Sequence, residues 1–305
     1  MDSLAAAPGT GPATSPLPVL RKPRPAAKFE DLPTGRTLVM GILNVTPDSF
    51  SDGGKHPTPD TAIAAGLRML YAGADIIDVG GESTRPGAEE VSPDEEQRRV
   101  LPVIEALVKA GALVSIDTTH ASTAEAALDA GAAIVNDVSG LSIEPGMAEL
   151  VAARKAPYVL THRRGDAKTM TSLTEYDDVA NDVVSELSGV RDKLYAAGVL
   201  PEQIIIDPGI GFSKTDEQNW ELLGNLGRLE AMGHKVLVGA SRKRFLGTLL
   251  TVSGKAALPE ERDAATAAIT AISAAGGAWA VRVHDVGSSL DAVKVAARMA
   301  PRPGH

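Results

Sequence analysis

The chain contains no cysteine. That excludes a disulfide framework, a thiol nucleophile and a thiolate metal site, and it fits a reducing compartment. Aromatic residues make up only 3% of the 305 positions, so a phenylalanine set in a loop is a feature to account for. Positive charge is in short supply: 30 basic residues face 39 acidic ones, for a net charge of -9. The overall field therefore repels nucleic acid and anionic membrane. No apolar run approaches the roughly 20 residues needed to span a bilayer. The expectation is a cytoplasmic protein acting on small molecules, with neither nucleic acid nor membrane as a partner. With 44% hydrophobic and 23% charged residues, the chain can build one sizeable core inside an ordinary soluble surface.

Residues 1–34 are rich in Pro, Ala and Gly, with basic residues around Arg21 to Arg24. The acidic opening Met-Asp-Ser and the short Leu-Ala-Ala-Ala do not have the layout of a secretory signal. A disordered tail is expected over 1–34 and a single domain over 35–301.

Across that domain short β-branched apolar runs alternate with longer alanine-rich stretches of helical spacing. Strands are expected at Thr37 to Asn44, Ile76 to Val79, Leu113 to Asp117 and Ala133 to Asn136. Four more follow at Pro157 to Thr161, Gln203 to Asp207, Val236 to Gly239 and Trp279 to Val283. Helices are expected between them, for example Asp94 to Ala110 and Tyr176 to Ala197, and Gly73, Gly111 and Gly131 stand where a left-handed residue would close one. The fourth unit is the weakest, its helix short and interrupted by Pro145-Gly146. Eight strand–helix units over about 270 residues fit an α/β fold of the (β/α)₈ TIM-barrel type. An open doubly wound sheet is the alternative; no Gly-x-Gly-x-x-Gly follows the first strand to support it.

In such barrels the reacting groups stand at the carboxyl ends of the strands. Every expected strand here ends in polar residues: Asn44, Gly80 to Arg85, Asp117-Thr118, Asn136-Asp137, His162 to Arg164, Asp207 to Gly209, Ser241 to Lys243, and Arg282 to His284. One polar strand end means little, since loops are polar everywhere. Eight converging on one rim describe a site.

Several long stretches carry a resemblance as well. They are Asn-Val-Thr-Pro-Asp-Ser-Phe-Ser-Asp-Gly-Gly (44–54), Gly-Glu-Ser-Thr-Arg-Pro-Gly (81–87), Ser-Ile-Asp-Thr (115–118) and Asn-Asp-Val (136–138). Asp-Pro-Gly-Ile-Gly-Phe-Ser-Lys (207–214), Gly-Ala-Ser-Arg-Lys (239–243) and Arg-Val-His-Asp (282–285) complete the set. In this order they resemble the dihydropteroate synthases, from about Thr37 to about Ala300. That family joins hydroxymethyl-dihydropterin pyrophosphate to para-aminobenzoate in the folate pathway, releases pyrophosphate, and is the target of sulfonamides.

The resemblance implies roles that the chemistry of the ligands supports. A pterin edge presents adjacent N–H donors, which a carboxylate accepts in bidentate fashion. Asp207 fits that role, Lys243 can donate to the ring carbonyl, and Asp117 and Asn136 can pair with the remaining ring nitrogens. If the carbon–oxygen bond breaks early, a buried Asp117 carboxylate stabilises the resulting cation; the plain alternative for Asp117 is a helix N-cap. The resemblance assigns Arg282, His284 and Asn44 to the pyrophosphate and its Mg²⁺, with Asn44 as the metal ligand. Phe212 and Pro86 are expected to wall the aminobenzoate slot, Ser241 to take the carboxylate, and Lys214 to be among the substrate-binding residues. Catalysis itself falls to Asp117, Lys243, Arg282 and His284. Thr84, Arg85, Phe50 and Asp52 are expected on loops that close over the site.

One departure is Thr161-His162-Arg163-Arg164-Gly165, where the family shows a methionine after the histidine. It touches the packing face of the pterin, and His162 itself reads as a hydrogen-bonded barrel histidine. Ser241 to Arg244 could pass for a nucleic-acid patch, which the acidic chain argues against. Two other readings share the barrel: a methyltetrahydrofolate-dependent methyltransferase, which has no pyrophosphate to bind, and a non-catalytic paralogue, which would have lost the Ser-Thr-Arg, Phe-x-Lys or Ser-Arg-Lys motifs. A homodimer is the family's usual assembly.

Overall fold

In the computed structural model the described residues are 27–46, 59–83, 87 and 90–300. Eight strands pair in parallel in chain order and close into a barrel, β8 returning to β1. They are β1 (Leu38–Asn44), β2 (Ile76–Gly80), β3 (Val114–Asp117), β4 (Ile134–Asp137), β5 (Tyr158–Thr161), β6 (Ile204–Asp207), β7 (Lys235–Val238) and β8 (Ala280–Val283). All eight expected strands are present, displaced by a residue or so at their ends.

Ten α-helices occur among the described residues: α1 (Pro59–Ala72), α2 (Pro93–Lys109), α3 (Ala121–Asp129), α4 (Met147–Arg154), α5 (Val179–Ala196), α6 (Asp216–Gly224), α7 (Leu226–Glu230), α8 (Arg244–Leu249), α9 (Asp263–Ala275) and α10 (Val286–Met299). The caps are legible in the chain. Ser92 accepts from the Glu95 amide, and Asp178 and Asp285 each accept from two amides of the turn that follows. Gly73, Gly111 and Gly131 all adopt positive φ behind their helices, as their positions require. Pro145-Gly146 does not interrupt the fourth helix. It precedes it: Gly146 is the N-cap at φ 91°, and α4 starts at Met147.

Alternation along each strand divides its side chains between two environments. Val39, Ile77, Ile116, Val135, Ile206, Val238 and Val281 point outward into the main core beneath the helices. The inward set is apolar at the floor and polar at the mouth. Leu38, Met40, Ile76, Leu113, Ile134, Val159, Ile205, Leu237 and Ala280 fill the floor. Two residues further along the same inward faces come Asp78, Ser115, Asn136, Thr161, Asp207 and Arg282, and Asp117 follows Ser115 on β3. A period of two thus carries six of the eight strands from packing to chemistry within one step.

The floor is sealed from outside the expected domain. Phe29 and Leu32, in the segment read as a tail, pack against the floor cluster, and the Phe29 ring lies 5.9 Å from that of Trp279. Lys235 sets its ammonium 5.7 Å from the centre of the Phe29 ring. The ordered domain therefore begins by Ala27, because an open barrel bottom would leave apolar side chains in water. Beside it Arg36 grips Asp75 with two bonds of 2.7 Å, tying the start of β1 to the start of β2. Replacing Phe29 by alanine is expected to lower the unfolding free energy by about 1–3 kcal/mol. Urea denaturation checks this, through a lower midpoint at unchanged slope.

Candidate active site

Four strand ends place the inward polar residues within reach of one another. The Arg282 guanidinium, on β8, donates from Nε to Asp78 Oδ2 at 2.6 Å and from Nη2 to Asp117 Oδ2 at 2.5 Å. Asp78 is fully buried and also accepts from Asn136 Nδ2 at 2.9 Å. A single carboxylate on β2 thus orients the key side chains of β4 and β8, and through Arg282 that of β3. Asp78 does not appear among the expected site residues. Its signal was a lone acid inside the apolar run Ile76-Ile77-Asp78-Val79, since an unpaired charge is not left in a buried strand.

Burial pushes the Asp117 carboxyl up to about 7; Arg282 opposes the rise and Asp78 adds to it. Burial lowers Arg282 as well, but Asp78 and Asp117 more than offset this and leave it firmly charged. Asp117 does not cap a helix, for the N-cap position of α3 is His120. Asp207, at the end of β6, is raised by burial against the Gly209 amide, which donates to Oδ1 at 2.7 Å, and the nearby charge of Lys243. Lys243 is brought down to about 8 by burial and then by Arg282, and its ammonium lies 4.1 Å from the centre of the Phe212 ring. Lys243 feels the charges of Arg282, Asp207 and Asp117, and Arg282 those of Asp78, Asp117 and Asp207, so the two cations link both carboxylates at one end of the barrel. Asn136 Oδ1 is buried with no partner among the described residues.

Ser241 joins the last two strand ends. Its Oγ accepts from the His284 amide at 3.1 Å and stands 3.0 Å from His284 Nδ1. The hydroxyl expected to hold a carboxylate is thus engaged in orienting His284. Arg242, next in the chain, takes the left-handed conformation at φ 57°, unusual for a bulky residue. It is held there by two 2.7 Å bonds to Asp263, while Arg262 donates to its carbonyl at 2.9 Å.

Lys214 corrects an expectation. Its buried ammonium donates to the carbonyls of Gly209 and Phe212 and lies 3.0 Å from His162 Nδ1, which leaves it turned into the protein. Burial lowers it to about 7. His162 is the bonded barrel histidine anticipated: burial depresses it to about 4, and its Nε2 meets Glu186 Oε2 at 2.8 Å. Arg163, in the family's methionine position, donates from Nε to the Gly165 carbonyl at 3.1 Å and lies in the field of Asp117 and Glu82. Asn44 closes β1 on the inward parity of Leu38 and Met40. Phe50, Asp52, Thr84, Arg85 and Pro86 lie outside the described residues.

A cavity of about 1090 Å³ at the opposite end, lined by Phe29, Trp279 and Val293 among others, contains none of these groups. Among the described residues no set of three or more acidic or imidazole side chains is arranged to hold a metal, and no helix is long and apolar enough to cross a membrane.

The profile of a family described as pterin binding enzyme matches residues 40–284. The dihydropteroate synthase of Mycobacterium leprae is 51% identical over 259 residues, covering 84% of this chain and 91% of that protein. Dihydropteroate synthase from Xanthomonas albilineans, solved with 7,8-dihydropteroate, superposes with a TM-score of 0.77 at 42% identity, over 87% of this chain and 95% of that one. The Yersinia pestis enzyme, solved with a sulfonamide drug, superposes with a TM-score of 0.80 at 42% identity, over 87% and 94%.

Removing the shared carboxylate tests the arrangement. Asp78→Ala leaves Arg282 buried with half its counter-charge and is expected to cost about 3–5 kcal/mol. Denaturant unfolding reads this loss, and Asp78→Asn, which keeps the shape, should cost less.

Proposed function

Because this chain belongs to the pterin-binding enzymes, and among them to the dihydropteroate synthases, we propose that its barrel mouth joins hydroxymethyl-dihydropterin pyrophosphate to para-aminobenzoate with loss of pyrophosphate. The observation that carries the site assignment is the convergence of Asp117, Asp207, Asn136 and Lys243 around Arg282 at one end of the barrel. A methyltransferase on the same fold has no diphosphate to hold, so it gives no reason to pair Arg282 with His284 at the rim.

The pterin enters edge first. Asp207 accepts from its adjacent N–H groups, Asn136 Oδ1 accepts from another, and Lys243 donates to the ring carbonyl. The carbon–oxygen bond at the pterin methylene then breaks, its electron pair leaving with pyrophosphate and positive charge spreading into the ring. Asp78, Asp117 and Arg282, all ionised, sum to one negative charge, so a cation forming beside Asp117 completes the balance. That stabilisation is absent in the ground state, which is the condition for a faster step. The aniline lone pair forms the new carbon–nitrogen bond, and the proton displaced from nitrogen leaves with diphosphate or solvent. A neutral aniline needs no dedicated base. Phe212, beneath the Lys243 ammonium, supplies a flat face for the aminobenzoate ring.

Arg282 and His284 alternate on β8 and its exit, and so present their nitrogens to the departing diphosphate from one side. Mg²⁺ fits this donor set: Asn44 offers a hard amide oxygen, and magnesium ordinarily takes few protein ligands beside waters and phosphate. When bound, the ion neutralises diphosphate charge. A cytoplasmic homodimer is the setting we infer, supported by the lack of cysteine and by exposed Ile272, Val295 and Met299 on α9 and α10.

Purified protein given both substrates and Mg²⁺ is expected to release pyrophosphate, and to release none when para-aminobenzoate is withheld. A chelator should abolish the release, added Mg²⁺ should restore it, and Asn44→Ala should raise the Mg²⁺ concentration needed. The pH profile follows from two shifted groups. Asp117 acts ionised and its carboxyl is raised to about 7, so kcat/KM falls as pH drops through 7. Lys243 acts protonated and is lowered to about 8, so kcat/KM falls again as pH rises through 8. A bell between these limbs is expected, with Asp117→Asn losing the acid limb and Lys243→Arg the alkaline one.

A further inference from the structure

The loop after β6 must present Asp207 and Phe212 to one cavity, yet no regular element supports it until α6 begins at Asp216. An inward-turned lysine supports it instead. Lys214, 5% exposed, donates to Gly209 O at 3.1 Å and to Phe212 O at 3.0 Å, and its third donor meets His162 Nδ1 at 3.0 Å. Three donors meet three acceptors, which leaves none for a ligand.

These contacts reach both substrate-facing side chains. The Gly209 amide donates to Asp207 Oδ1 at 2.7 Å, so the peptide whose carbonyl Lys214 holds belongs to the residue that orients the carboxylate. The Phe212 amide donates to Gly209 O at 3.0 Å, and Lys214 takes the Phe212 carbonyl as well. Behind the lysine, His162 is completely buried and passes its other nitrogen to Glu186 Oε2 at 2.8 Å. An ionised Glu186 carboxylate can only accept, so Nε2 carries the proton and Nδ1 is left to accept from Lys214. Glu186, on α5, is also clamped by Arg164. Burial raises its carboxyl, but the bonds from His162 and Arg164 overcome this and bring it down to about 2.

Two further ties hold Ser213, between Phe212 and Lys214. The Arg164 amide donates to its Oγ at 3.0 Å and Tyr176 Oη to its carbonyl at 2.9 Å. Ser213 is left-handed at φ 43°, a conformation that is costly for a non-glycine residue and persists only when its surroundings over-determine it. Gly209 is left-handed too, and a side chain there would run into the His162 carbonyl. The loop is thus built against His162 at both ends.

We propose that Lys214 and His162 are positioning residues for the reaction: with Glu186 they form a buried strut from α5 to the β6 loop that sets Asp207 and Phe212 relative to each other without touching substrate. The strut rests on the synthase reading above, and it departs from the expectation that Lys214 is itself a ligand.

The test compares Lys214→Met, His162→Leu and His162→Gln. Glutamine can accept from Lys214 with its oxygen and donate to Glu186 with its nitrogen, so it restores the chain that leucine breaks. Lys214→Met and His162→Leu are expected to raise the KM for para-aminobenzoate about tenfold or more, since small misplacements of binding groups are costly. His162→Gln should stay within about threefold of the parent by the same reasoning. Hydrogen exchange of the amides in residues 209–213 should accelerate in the first two variants and not in the third. Unchanged KM and exchange in His162→Leu would overturn the strut. So would a Lys214→Met variant with impaired KM but parental exchange, the signature of a direct ligand. Should Lys214→Met fail to fold, the leucine–glutamine pair at His162 decides. Exchange needs no turnover, so an inactive parent protein refutes the synthase reading while the exchange pattern judges the strut separately.

Discussion

One buried guanidinium organises the mouth of this barrel. Arg282 bonds Asp78 and Asp117 at once, and a cation so placed requires both carboxylates to face it. Three strands are oriented by that demand, and a fourth joins because Asn136 donates to Asp78. The trio also carries more negative than positive charge when fully ionised. Burial relieves the excess by raising Asp117 to about 7.

Around that centre the loops are held by their backbones. Ser213 and Arg242 both occupy the left-handed region, one in the loop after β6 and the other in the loop after β7. Each is tied from elsewhere at both its carbonyl and its side chain: Tyr176 Oη donates to the Ser213 carbonyl and the Arg164 amide to its hydroxyl, while Arg262 donates to the Arg242 carbonyl and Asp263 accepts from its guanidinium. Strained backbone at a site persists where many contacts agree on it. The consequence is that Phe212 and Lys243, neighbours of the strained residues, meet ring to ammonium at 4.1 Å. Ser241 then extends the same frame to His284.

Much of this was legible in the chain. The eight strand runs, their helices and the polar residue closing each strand are local patterns, and alternation along a strand already separates core from rim. Asp117, Asn136, Asp207, Lys243 and Arg282 were all recognisable, and all are drawn into the same rim. Two residues were misread for a common reason. Asp78 was passed over because it stands inside a strand, where an apolar neighbourhood hides a charge from motif reading. The resemblance alone places Lys214 among the ligands, and nothing local says whether its amine turns outward or in. Residues 27–32 were read as tail because only the open floor of a closed barrel gives Phe29 a partner.

Strand, helix and cap follow from near neighbours in sequence, since hydrogen-bond geometry and side-chain period act over a few residues. So the chain alone determined a parallel barrel with a polar rim and a family of reactions. Which charges would meet was decided by closure: β8 pairs with β1 and sets Arg282 across the barrel from residues far away in sequence. Ion pairs in a low-dielectric interior depend on distances of a few ångströms, and those distances exist only once the last strand has joined the first.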